Sequence, residues 1–270
     1  MSLGVVVKVP DGLVLAAESR VTVTLSPPGG ATYRATFDNA TKVLAFGPPH
    51  THVGVVTYGV GAIADRTAHS FLPEFEATLP QERLSVRAFA EELQRFFLGQ
   101  WAAAEMPRTP VLNFRVAGFD EGDPYGHVWG IDIPTTVTPF ELLADRFGAE
   151  WGGQRAHVDR LFAGYDPRLL ELVRDALRLQ PRAVSLARTA LAALDLPVPW
   201  EALPLQDGVD LAIFGIRATI ISQTLSLGDR GCGGPIDVAA ITRREGLRWV
   251  QRKVLVGEPL AREPETTHGL

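Results

Sequence analysis

The chain begins Met-Ser-Leu-Gly, and its second residue offers the most economical chemistry in the sequence. Removal of Met1 would leave Ser2 carrying a hydroxyl and a free α-amine on one carbon skeleton. A serine hydroxyl attacks poorly at neutral pH unless a nearby unprotonated amine takes its proton as the new bond forms. Nucleophile and base would then belong to one residue. The bland reading is that a small residue commonly follows an initiator methionine. Other candidate chemistries are weaker. His50 and His52 have metal-like spacing, yet no Cys or acidic neighbour in sequence completes a ligand set, so no metal is expected. Gly59-Val-Gly61 lacks the third glycine and the later acidic residue of a dinucleotide site, and no cofactor is expected. Asn39-Ala-Thr41 fits a glycosylation sequon without an exported context. Arg243-Arg244 beside Glu245 reads as solvated surface.

These residues must be positioned by a fold, and the composition bounds it. The chain has 270 residues, 46% hydrophobic and 21% charged, enough for one large domain with a substantial core. A formal net charge of −5 gives no general attraction to nucleic acid or to an anionic membrane. No charge-free run of about 18 apolar residues and no signal-peptide pattern is present, so a soluble, cytoplasmic protein is expected. The single cysteine, Cys232, excludes an internal disulfide and fits a reducing compartment.

Periodicity then places the elements. Residues 4–9 and 12–19 read as strands joined by Pro10-Asp11-Gly12, and 42–46 and 52–58 as two more. Helical spacing starts near residue 62 and runs to 79. A second helix carries Phe89, Leu93, Phe96, Phe97 and Trp101 on one face, with Glu91, Glu92 and Arg95 opposite. Strands follow at 111–119, 126–133 and 137–143, helices at 155–164, 168–180 and 183–194, and a Pro-rich break at 196–204. A buried helix ending near 227 precedes strands at 236–242 and 247–255. The stretch after Gly257 reads as a mobile tail, given its prolines and charges. The order of elements predicts an α+β fold with two antiparallel sheets between helical layers.

Four segments in order resemble the proteasome-type, β-subunit-like members of the N-terminal nucleophile (Ntn) hydrolase superfamily. They are Gly4-Val-Val-Val-Lys-Val-Pro-Asp-Gly-Leu-Val-Leu-Ala-Ala-Glu-Ser-Arg20, Lys42-Val43, Tyr58-Gly59 and Asp229-Arg-Gly-Cys-Gly-Gly234. The likeness covers roughly residues 2–105 and 208–255. It implies a four-layer αββα sandwich over residues 1–257, with a helical and Pro-rich insertion at about 165–204 and a tail at 258–270. It also implies roles. Ser2 stands where that family has its processed threonine, and Glu18 where it has an aspartate. Lys42 matches the lysine beside the nucleophile, and Gly59 the glycine whose backbone N–H helps bind the oxyanion. Asp229 and Cys232 match an aspartate and a serine that support the terminal amine, although a thiol is a weaker hydrogen-bonding group. A further family serine, from a Gly-Ser-Gly turn, is replaced by Gly153.

Elementary chemistry gives each role a reason. A cation such as Lys42 near an α-amine, whose ordinary pKa is about 7.7–8, favours the neutral, basic form. Glu18 would hold Lys42, and a Gly59 N–H aimed at a developing oxyanion is worth about 3–4 kcal/mol. The leading expectation is therefore an N-terminal serine amidohydrolase or peptidase acting through an acyl-enzyme on a peptide or other amide. The same intermediate could pass to an amine, giving a transamidase or peptide ligase. The alternative from another class is a catalytically silent subunit that shapes an assembly. The resemblance also implies a homo-oligomer.

Overall fold

A computed structural model describes residues 2–25, 30–31, 33–228 and 230–257. Strands β1 (Leu3–Val9) and β2 (Gly12–Glu18) form a tight hairpin, and every residue in both is buried. Unbroken Val and Leu runs are what strands covered on both faces require. A two-stranded ribbon follows, β3 (Val21–Leu25) with β4 (Tyr33–Phe37). Next come β5 (Val43–Ala45) and β6 (Val53–Gly59), which open the second sheet. The helix predicted from residue 62 starts later. Ile63 and Arg66 exchange backbone hydrogen bonds of 2.8 and 3.0 Å, a 3-10 turn spans Ala68–Phe71, and α1 covers only Leu72–Thr78.

Helix α2 (Val86–Ala103) is entered at Ser85, whose hydroxyl accepts from the Ala88 N–H at 3.1 Å. Such a cap contributes about 1 kcal/mol. Its buried stripe is Phe89, Leu93, Phe97 and Trp101, at the spacing of one helix face. Strands β7 (Leu112–Gly118), β8 (His127–Ile133) and β9 (Phe140–Leu142) complete the second sheet, in the order β5-β6-β7-β8-β9. Strand β10 (Gly148–Gly153) returns to the first sheet beside β1. Helices α3 (Ala156–Ala163), α4 (Leu169–Leu177), α5 (Pro181–Leu191) and α6 (Leu205–Leu225) lead to β11 (Ile236–Thr242) and β12 (Gly246–Gln251). The first sheet has the order β10-β1-β2-β11-β12, and both five-stranded sheets are antiparallel throughout.

Three apolar clusters fix how these parts meet. Leu13, Leu15, Val56, Val128 and Ile241 join the two sheets. Phe75, Phe89, Phe97 and Phe114 fill the space between α1, α2 and the second sheet, with Phe97 and Phe114 centroids 4.6 Å apart. On the far face of the first sheet, Val7, Val14 and Val238 meet Val209, Ala212 and Ile216 of α6. Helix α6 is long and apolar enough to cross a bilayer, yet one face is buried here against β1 and β2. Gly208 and Ala212 let it approach these strands closely, while Gly215 lies against Val158 of α3.

Candidate functional site

Ser2 immediately precedes β1; it is buried, and its carbonyl accepts the Gln154 N–H at 2.7 Å. Three elements converge beside it. The last residue of β2, Glu18, is fully buried and saturated. Its Oε1 accepts from the Leu3 N–H at 3.2 Å and from the Lys42 ammonium. Its Oε2 accepts from the N–H groups of Arg20 at 2.6 Å and Gly233 at 3.1 Å. Lys42, just before β5, also donates to the Arg20 carbonyl. Burial pushes the Lys42 ammonium below its ordinary pKa, and the Glu18 carboxylate pulls the other way. The ion pair thus offsets the cost of placing a cation in the interior.

Ser2, Lys42, Thr57 and Tyr58 surround a void of about 20 Å³, room for one water. The Thr57 hydroxyl is buried with no hydrogen-bond partner among the described residues. A larger cavity of about 660 Å³ opens on the other side of Ser2, walled by Gly59, Val60, Gly61, Met106, Gly153 and Gln154. The antiparallel ladder orients Gly59. Val60 donates to Val111 of the neighbouring strand at 3.0 Å, whereas Thr57 donates the opposite way, to Lys42 at 2.9 Å. By the two-residue period the Gly59 N–H shares the direction of Thr57, past the point where β5 begins. Its φ of +99° and a virtual Cβ 2.3 Å from the Val111 carbonyl leave room only for glycine.

Gly153 has a stronger reason than a lost serine. Its φ is +92°, and a Cβ there would sit 1.8 Å from the Ser2 carbonyl oxygen. No side chain fits at that position while Ser2 keeps its place. Cys232 lies in the apolar cluster beneath α6, and burial together with the Glu18 carboxylate pushes its thiol up to about 12. Its backbone N–H donates to Gln223 Oε1 at 2.8 Å. Asp229 lies outside the described residues, as do Met1 and the tail at 258–270.

Several residues join the site that sequence reasoning did not single out. Gln223 of α6 bridges from Cys232 to Gln154 Oε1, 3.2 Å from its Nε2, and Gln154 in turn binds Ser2. The readable signal was a lone amide on the apolar face that carries Ala212, Ile216 and Thr219. Arg20 grips Asp38 through two bonds of 2.6 and 2.7 Å and reaches the Arg230 carbonyl at 3.1 Å, so it fastens the 230–234 loop. His50 and His52 are buried, and the Nε2 of His52 lies 2.9 Å from the Leu84 carbonyl. Asp120, Asp123 and His127 bring ligand-type atoms within 4.8 Å of one another. Both His127 nitrogens are engaged, at 2.8 Å to Asp123 and 3.0 Å to Glu141, which suits a proton rather than a metal ion.

Among the described residues, two five-stranded antiparallel sheets, a two-stranded ribbon and six α-helices form a proteasome-like fold. Among solved structures, the chain is similar to Anbu (ancestral beta-subunit) from Yersinia bercovieri, with TM-score 0.57 and 15% identity over 92% of this chain and 86% of that one. It is similar to an Anbu (Gly-1) mutant from Hyphomicrobium sp. strain MC1, with TM-score 0.56 and 13% identity over 94% and 86%. A helical assembly of the Anbu complex from Pseudomonas aeruginosa gives TM-score 0.57 and 18% identity over 93% and 86%. No protein-family model and no curated protein matches the chain. These neighbours correct the resemblance drawn from sequence. The relationship is to the proteasome-like but distinct Anbu fold rather than to proteasome β-type subunits, and at such identity it is one of fold.

Proposed function

We propose that the chain is an N-terminal serine amidohydrolase acting on a peptide or other amide, built on a single four-layer αββα domain with an insertion at 165–204. The observation that carries this reading is the convergence at Ser2 of the buried Lys42–Glu18 pair and a cavity bordered by Gly59. Once Met1 is removed, the α-amine takes the Ser2 hydroxyl proton as Oγ attacks the amide carbonyl. The Gly59 N–H receives the oxyanion, and Lys42 keeps the α-amine in its neutral form. Collapse expels the amine, which leaves with the transferred proton, and an acyl–Ser2 ester remains. Water, deprotonated by the same α-amine, then releases the acid; an amine in its place would give transamidation. The silent-subunit reading draws support from Cys232 and Gly153, which offer the terminal amine no hydroxyl.

Intact-mass spectrometry with N-terminal sequencing, on protein treated with a β-lactone, tests maturation and reactivity together. The expected spectrum begins at Ser2 and carries one adduct on it, absent from Ser2→Ala. A methionine-bearing terminus, or equal labelling of the variant, would favour the silent subunit. Self-assembly is part of the proposal: one Anbu neighbour forms a helical assembly, and α4 and α5 expose Leu172, Leu177 and Leu186 to solvent.

A further inference from the structure

Tyr58 ties together the two strands that carry the site. Gly4 of β1 and Gly152 of β10 stand directly opposite each other. Neither has the left-handed backbone that would call for glycine. What excludes a side chain there is the ring of Tyr58. A Cβ on Gly152 would lie 2.1 Å from its Cζ and 2.2 Å from its Oη, and one on Gly4 would lie 2.7 Å from its Cδ1. The paired glycines therefore form a flat slot across two strands of the first sheet, and a side chain from the second sheet fills it. Its own sheet holds the ring as well. The Arg115 guanidinium carbon lies 5.2 Å from the ring centroid, and Arg115 is itself buried, bound to Asp132 at 2.9 Å and to the Phe114 carbonyl at 3.0 Å. The Asn113 side chain donates to the Tyr58 carbonyl at 3.3 Å.

Each end of this contact leads to one reacting group. Gly4 follows Ser2 by two residues, so in an extended chain the two face the same side. Ser2 and Tyr58 accordingly border one void. Gly59, whose N–H is assigned to the oxyanion, follows Tyr58 directly. Burial pushes the Tyr58 phenol up to about 12, so it is no base at neutral pH. An oxyanion donor works only when it meets the oxygen at about 2.7–3.1 Å. Misplacing a reacting group by about 1 Å can cost about a hundredfold in rate. We propose that Tyr58 is a positioning residue for acyl transfer: its ring, seated in the Gly4–Gly152 slot, fixes the distance between the Ser2 hydroxyl and the Gly59 N–H. It thereby governs the rate of acylation rather than the affinity for substrate. This role rests on the hydrolase reading.

The test uses the full chain beginning at Ser2 and a β-lactone, with acylation followed by time-resolved intact mass. In that step Ser2 Oγ bonds the lactone carbonyl carbon, the ring C–O bond breaks, and the ring oxygen takes the proton that the α-amine received. Tyr58→Leu empties the slot and should lower the maximal acylation rate at least about tenfold, while the half-saturating lactone concentration stays within about twofold. Tyr58→Phe keeps the ring and should label at a maximal rate within about threefold of the parent chain. Should Tyr58→Leu fail to fold, Gly152→Ala or Gly4→Ala reads the same contact by pushing on the ring from the first sheet, and should give the same split. Where Tyr58→Leu and Gly152→Ala both fold, they disturb one contact, so the double variant should be no slower than the slower single. Losses that multiply in the double variant, a loss confined to the half-saturating concentration, or a Phe variant as slow as the Leu variant overturns the role of the ring. A parent chain that gains no adduct on Ser2 removes the nucleophile and this role with it. A labelled parent with equally fast Tyr58→Leu overturns this role alone.

Discussion

At the scale of single residues, the buried pair Lys42–Glu18 sets the behaviour of the site. Glu18 is satisfied by three backbone N–H groups and one ammonium, so its charge is distributed over a rigid frame. Lys42→Ala strips one partner from a carboxylate with no solvent access and should cost about 3–5 kcal/mol in urea denaturation, besides abolishing labelling of Ser2. Glu18→Asp withdraws the carboxylate by one methylene, and losing even one charged hydrogen bond should cost about 1.5–3 kcal/mol by the same measurement. An unchanged midpoint in either variant would contradict this arrangement. Ser2, Glu18 and Lys42 were legible because a strand-end acid and a pre-strand lysine stand in recognisable local strings. Gln154 and Gln223 were not, since their meeting depends on how α6 lies across the first sheet, with the two residues 69 positions apart in sequence.

At the scale of elements, legibility followed burial. Strands β1 and β2 and helix α2 carry unbroken or strongly periodic apolar patterns because their surroundings are apolar on one or both sides. Strand β10 was missed because it holds three glycines and a glutamate, and its place is set by pairing with β1 rather than by its own composition. The β3–β4 ribbon was missed although Val-Thr-Val-Thr alternates, a pattern of a strand with one solvated face. The glycines of β10 are testable. Gly153→Ala introduces both a forbidden φ and a clash with Ser2, and should cost at least about 1–3 kcal/mol. Gly122→Ala, with φ +88° but open space around it, should cost visibly less on thermal melting. The Arg20–Asp38 clamp predicts an acid sensitivity. The Arg20 guanidinium holds the Asp38 carboxyl below its ordinary pKa, so this contribution is complete above about pH 4 and fades as pH falls through the depressed value. Asp38→Asn should flatten that acid limb of Tm against pH while leaving the neutral region's slope alone.

For the whole molecule, the stretch between α3 and α6 departs most from the rest. Helix α5 buries no residue, and α4 buries only Leu170, while Leu172 and Leu186 are each 65% exposed. Short helices of 9 and 11 residues gain little stability alone. Leu172→Glu with Leu186→Glu should leave unfolding stability within about 0.5 kcal/mol, as exposed substitutions do. The same double variant should reduce the mass measured by light scattering, because it charges the surface through which copies would associate. The place of Ser2 has a consequence for maturation. In the folded chain β1 is enclosed between β2 and β10, and Ser2 is fastened through its carbonyl, which accepts the Gln154 N–H. On the proposed reading, a chain that keeps its methionine would be inert, because Ser2 would then have no free α-amine to act as base.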